Sequence, residues 1–173
     1  LKSAQKGELE IFATAKKYAD ELMAMPAVSA HGGSVLSAET AALANIKRLT
    51  VLLYGAFAGQ CLAKGRKIED EQELFAELAN LTTDVFALET AIARVKHITA
   101  KGKNADQETA IVQCVTARIM ENTDMRARHT IQRLYDGDER RTYLAGIKRL
   151  VKYEIGDRIA LDRAIAGRYL AGN

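Results

Sequence analysis

The sequence has 173 residues, 48% hydrophobic and 6% aromatic, which suits one domain with a substantial core and excludes a disordered chain. One proline, no tryptophan and an abundance of Ala, Leu, Glu, Lys and Arg favour helix over sheet, because these side chains lose little rotamer freedom in a helix. The formal net charge of +3 arises in the last third, since residues 1–120 carry 14 basic and 14 acidic side chains and residues 121–173 carry 11 and 8, too mild an excess to indicate nucleic acid.

The expected fold class is therefore all-α, a bundle of about six helices. Leu9, Phe12, Ala15, Ala19 and Leu22 share one stripe at helical spacing, which predicts a leading amphipathic helix over 1–24. Residues 25–36, MPAVSAHGGSVL, contain the only proline and the Gly32-Gly33 pair, and predict a linker that is the one flexible joint of the chain. Residues 37–173 are the expected bundle domain.

Within that domain Ser37 is the expected N-cap of a helix through Leu43, Ile46, Leu49, Leu53, Phe57 and Cys61, stopping near Gly65 in a left-handed C-cap conformation. Gly55 and Gly59 suggest close approach of a neighbouring helix. Asp70 and Glu73 resemble a capping box ahead of Leu74, Leu78, Leu81, Val85, Leu88, Ile92 and Val95, a seam stepping alternately by four and three. Phe75 and Phe86 beside the seam suggest a wider buried stripe rather than a free coiled coil. Asn104 with Gln107 offers a second capping box for a helix through Ile111, Val112, Val115 and Ile119 to Leu134-Tyr135, whose second half, ENTDMRARHT, is polar. Gly137 and Asp138 read as a stop and a cap before a helix with Tyr143, Ile147, Leu150 and Val151 on its apolar side. Gly156-Asp157 repeats the device before a last helix with Ile159, Leu161, Ile165, Tyr169 and Leu170.

Little in this pattern carries chemistry. Glu69, Asp70, Glu71, Glu73 and Glu77 form an acidic cluster, but acids in a first turn complement the helix dipole and are expected to face water. A di-iron bundle needs a Glu-x-x-His pair, and none occurs. His31, His97 and His129 have no partner at metal-ligand spacing, and nucleophile elbows, phosphate loops and dinucleotide-binding glycine fingerprints are absent. Cys61 and Cys114 read as reduced, buried small hydrophobes. No catalytic, cofactor-binding or metal residue is expected in this chain. The basic residues Arg126, Arg128, Arg133, Arg140 and Arg141 are the one candidate surface, for a partner or an anionic lipid, although interleaved Asp124, Asp136, Asp138 and Glu139 favour an intramolecular or subunit contact, or simple solvation, over lipid.

No apolar run approaches the roughly 20 residues that span a bilayer, so a soluble, cytoplasmic protein is expected, and Leu1 at the start points to a piece of a longer chain. The segment LSAETAALANIKRLTVLLYGAFAGQCLAKGRKIEDEQELFAELANLTTDVFALETAIARVKHI, residues 36–98, followed by DGDERRTYLAGIKRLVKY and DRIALDRAIAGRYLAGN, resembles the part of very-long-chain-type acyl-CoA dehydrogenases that follows the catalytic body. The resemblance implies a noncatalytic accessory or assembly domain with the C-terminal-like helical bundle of that family. In the parent enzyme a glutamate removes the α-proton of an acyl-CoA while flavin adenine dinucleotide (FAD) takes the β-hydride, and those residues lie upstream. The implied partners are the catalytic body of the same polypeptide, a second copy in a homodimer, and in some relatives a membrane surface. A freestanding helical adaptor and a peripheral membrane module using the basic last third are the competing readings.

Overall fold

The leucine seam organises the molecule. In the computed structural model, which describes residues 10–24 and 36–171, Leu74, Leu78, Leu81, Leu88, Ile92 and Val95 are all buried on one side of a 29-residue helix, with Val85 half-buried among them. The described residues form six α-helices and no strand: α1 (Ile11–Ala24), α2 (Ser37–Ala63), α3 (Gln72–Ala100), α4 (Asp106–Leu134), α5 (Gly137–Leu150) and α6 (Arg158–Leu170). A 3₁₀ turn, Ile68–Asp70, precedes α3.

Helices α2, α3 and α4 pack pairwise into a three-helix body, joined by connections too short for anything but antiparallel neighbours. Two buried clusters run along this body. One gathers Leu53, Phe57, Leu78, Leu81, Ile131 and Leu134 and is closed by Ile147 and Leu150 of α5. The other gathers Ala42, Ile46, Leu88, Ile92, Val112 and Ile119. Helix α1 lies along α2 with Ala15 buried, Tyr18 and Ala19 on the first cluster, and the Arg48 guanidinium 6.0 Å above the Tyr18 ring. The positions of Leu9 and His31, residues 25–35 of the expected linker, and the side chain of Leu22 lie outside the described residues.

Helix ends depart from the expected caps. The chain enters α2 through Leu36, not through a Ser37 side chain, and Leu36 is buried with a left-handed φ of 66°. That conformation is strained for a side chain with a Cβ, and burial against the second cluster holds it there. Asp70 ends the 3₁₀ turn and Glu71 takes the N-cap position of α3 without a side-chain cap, so the Asp70–Glu73 box does not form. At α4 the N-cap is Ala105, and Asn104 instead accepts a hydrogen bond from the Asp106 N–H, two residues on. Asp136 rather than Asp138 precedes α5, with Gly137 at φ 56°. Two expectations hold: Gly65 is left-handed at φ 61°, and Asp157 caps α6 by accepting from the Ala160 N–H at 3.0 Å. Gly59 meets no neighbour, so no close helix approach requires it.

The wider buried stripe on α3 does not form. Phe75 is 45% exposed and Phe86 70%, because α2 and α4 both lie on the leucine side and nothing described covers the opposite face. Conversely, the polar half of α4 is largely enclosed. Thr116, Thr123 and Thr130, seven residues apart, are fully buried, and two of them donate to the carbonyl four residues earlier. Thr123 Oγ1 alone, among the described residues, is a buried side-chain polar atom without a hydrogen bond. Removing that hydroxyl while keeping the shape abolishes a desolvation cost, so Thr123→Val should raise unfolding stability by about 1 kcal/mol in urea titrations.

Candidate functional site

The basic residues singled out in the sequence are placed by α4 and α5 and are each held by a carboxylate of the same chain. Arg126 projects from α4 toward α3, with Nε 3.3 Å from Glu77 Oε2 and Nη1 hydrogen-bonded to Asp84. All three side chains are more than two-thirds covered. Burial pushes the Asp84 carboxyl up, and the Arg126 charge and hydrogen bond offset part of that rise. Arg128 donates to Asp124 at 2.8 Å one turn back. Arg140 donates to the Tyr135 carbonyl at 2.8 Å and to Asp136, which ties α5 to the end of α4. Arg141 sits 3.2 Å from Asp138, and both are exposed.

Arg133 reaches further. Its Nε and Nη2 donate to the two oxygens of Glu71, each at 3.2 Å, and Arg66 Nη1 donates to the same carboxylate at 2.8 Å. Glu71 is only 8% exposed, which corrects the expectation that the whole acidic cluster faces water. Burial raises its pKa, but the hydrogen bonds and charges of Arg66 and Arg133 outweigh burial and hold the carboxyl below a free glutamate's 4.5. Nearby, Lys64 Nζ donates to the Leu134 carbonyl at 3.0 Å, a cation on the last turn of α4. The stacked rings of Tyr135 and Tyr143, 4.6 Å between centroids, complete this end of the bundle.

A second polar site was not anticipated. Between the start of α2, the first turns of α4 and helix α6 lies an open cleft of about 870 Å³. Glu39, only 4% exposed, lies against it and accepts a 2.7 Å hydrogen bond from the Tyr153 hydroxyl. Burial and then the Glu39 carboxylate push the Tyr153 hydroxyl far up, so it stays a proton donor to Glu39. The sequence signal was weak, because Glu39 stands in a first helical turn where acids ordinarily face solvent.

The remaining candidates stay apart. Exposed His129 has Nδ1 3.8 Å from Glu77, and His97 is exposed in the last turn of α3. Cys61 is buried and Cys114 half-buried, both free. Burial foremost, then Glu71 for Cys61 and the Asp162 hydrogen bond for Cys114, raise their thiol pKa values. No group of three His, Cys, Asp or Glu side chains suited to a metal occurs among the described residues, and no described helix is long and apolar enough to cross a membrane.

Two measurements test the ion pairs. Arg126→Met leaves Glu77 and Asp84 facing each other without their shared cation and should cost about 2–3 kcal/mol in urea unfolding. For Glu71 the folded pKa lies below the unfolded one, so its contribution is present above pH 4.5 and is lost as pH falls through the folded value. Glu71→Gln should therefore be less stable than the parent by about 2 kcal/mol at neutral pH, and the two unfolding midpoints should converge in acid.

With this geometry in place, comparison with known proteins is informative. The family described as acyl-CoA dehydrogenase, C-terminal domain, matches residues 45–149, more than half of the chain. A probable acyl-CoA dehydrogenase of Bacillus subtilis (strain 168) is 28% identical over 154 residues, covering 88% of this chain and 25% of that protein. The crystal structure of an acyl-CoA dehydrogenase complexed with FAD from Bacillus anthracis aligns with a TM-score of 0.88 at 23% identity, over 99% of this chain and 29% of that one, a likeness of fold. The chain thus spans about a quarter of the length of the curated relative it matches. It belongs to the acyl-CoA dehydrogenase C-terminal domain family.

Proposed function

We propose that this chain is a noncatalytic assembly domain of a FAD-dependent acyl-CoA dehydrogenase of the very-long-chain type, seated on the catalytic body of the same polypeptide. The observation that carries the reading is coverage: nearly the whole chain aligns with only 29% of a larger acyl-CoA dehydrogenase. In such an enzyme FAD accepts the β-hydride of an acyl-CoA substrate. The cleft beneath α6 does not fit that cofactor. It has Glu39, Glu154 and Asp157 on its walls and no cation, which opposes an anionic pyrophosphate. Nor does a carboxylate stand ready as a base for an α-proton there, since Glu39 is buried and bound to Tyr153.

What the domain offers instead is surface. Along the outward side of α3, Phe75, Ala79, Phe86, Thr90 and Ala93 fall at helical spacing, all exposed and all uncharged, and Thr82 at the edge of the stripe shares a hydrogen bond with Tyr54 of α2. Glu89, beside this stripe, is engaged by Lys47, and Glu77 and Asp84 lie on the α4 side of the helix, held by Arg126. A stripe of this length with two large aromatics is an interface in waiting, and the catalytic body is the partner we assign to it.

The test joins this chain to its catalytic body in one polypeptide. That protein should purify yellow and reduce its flavin on addition of a long-chain acyl-CoA, whereas the 173-residue chain alone should be colourless and inactive. Phe86→Glu should leave the isolated chain folded, yet lower the melting temperature of the joined protein and speed proteolysis between its parts. Flavin retained by the isolated chain contradicts the assignment.

A further inference from the structure

Helices α5 and α6 are nearly equal in length and are held very differently. Helix α5, with 14 residues, places Gly146, Ile147 and Leu150 in the core, whereas none of the 13 residues of α6 is buried. A free helix of that length is marginal in water, so its persistence depends on what it packs against. For α6 that is little. It leans on α4 with Leu161 and Ile165 half-covered, and the rest of its apolar surface is open, with Ile159 64% exposed, Tyr169 69% and Leu170 89%. Arg158 lies 3.7 Å from Glu121 of α4, but both side chains are substantially in water, where such pairs contribute little. On its other side α6 stands off from the start of α2 across the cleft, whose wall it forms through Ala160, Leu161 and Ala164.

The chain just before α6 is fastened. The Tyr153 hydroxyl donates to buried Glu39 at 2.7 Å, and Val151 and Tyr153 both pack on the second cluster. Past Tyr153 no described residue is buried. Glu154, Gly156 and Asp157 are exposed and non-helical, and Gly156 has open space where a Cβ would stand. On α4, against α6, sits half-buried Cys114, its thiol hydrogen-bonded to Asp162 of α6.

We infer that α6 is a hinged strap, which lifts from α4 and unwinds as a unit about residues 154–157 while the three-helix body and the Tyr153 anchor on Glu39 stay in place. Closed, it forms one wall of the cleft and shields the Cys114 thiol. Open, it leaves the cleft as a shelf on α2 and α4 and gives the thiol to solvent. Unwinding accompanies lifting because a detached helix this short does not sustain itself. An element that buries so few apolar groups opens at a free energy well below that of global unfolding. Cys61, sealed in the first cluster, stays closed throughout.

The two cysteines report this motion in the 173-residue chain without denaturant. With excess of a water-soluble aromatic disulfide reagent, Cys114 should react about a hundredfold or more faster than Cys61, and α6 amides should exchange with deuterium faster than α3 amides by a similar factor. Two variants separate opening of the strap from direct access to the thiol. Gly167→Ala, whose added methyl meets open space, strengthens the helix itself and should slow Cys114 labelling and α6 exchange together, about threefold to fivefold. Ile165→Asn removes one of the two half-covered apolar side chains and should speed both, about tenfold. Cys114 labelling that keeps pace with Cys61, in the parent or in either variant, overturns the inference, because the thiol then waits for global unfolding. Fast labelling that the two variants do not move in opposite directions overturns it too, since the thiol is then reached without any motion of α6. So does exchange of α6 amides as slow as that of α3.

Discussion

The guanidinium of Arg126, gripped by Glu77 and Asp84, is what allows the polar half of α4 to lie along α3. Without a cation there, two acids on the flank of α3 would face a neighbouring helix across poorly hydrated space. With it, Leu78 and Leu81 of α3 and Ala127 and Ile131 of α4 close on one another beneath the ion pair. This match sets how α3 and α4 meet within the three-helix body. Net stabilisation from such a pair is modest, since desolvation consumes much of the attraction, but the pair fixes how α3 and α4 align, because carboxylates one turn or two away would leave charge unanswered.

That alignment also decides which faces remain outside. With α2 and α4 both packed on the leucine side of α3, the opposite side must point outward, Phe75 and Phe86 included. With α5 closing one end of the core, α6 has only the near half of α4 left to lean on, and it stays largely uncovered. Two open faces, one uncharged and one basic beside an acidic cleft, differ enough in chemistry to serve different partners.

Periodicity in the sequence carried most of the fold. The alternation of four and three in the α3 seam identified its buried side residue by residue, and Gly65 and Asp157 marked helix ends that the structure retains. Long-range pairing was hidden from it. A seam shows which side of a helix is apolar but not how many neighbours will cover it, so Phe75 and Phe86 looked like extensions of the core. Local capping rules likewise missed Glu71, whose role depends on Arg133 sixty-two residues away. The same blindness concealed Glu39, whose partner Tyr153 is 114 residues distant. The arginines were found as a group, while their partners, except for near neighbours such as Asp124 and Asp138, could not be read without the helix packing. The family resemblance pointed correctly to an acyl-CoA dehydrogenase C-terminal domain through the order and spacing of helices.

The links at the α5 end of the bundle bear on how the chain acquires its structure. Arg133 to Glu71 and Lys64 to the Leu134 carbonyl join the α2–α3 turn to the α4–α5 turn, spanning sixty-two and seventy residues. Hairpins between successive helices close small loops, whereas these links require loops of sixty-two and seventy residues to close. The α4–α5 corner is therefore the latch of the folding reaction. Until it catches, Glu71 lacks Arg133 and the Leu134 carbonyl lacks Lys64, so the corner that closes the first core cluster is left untied.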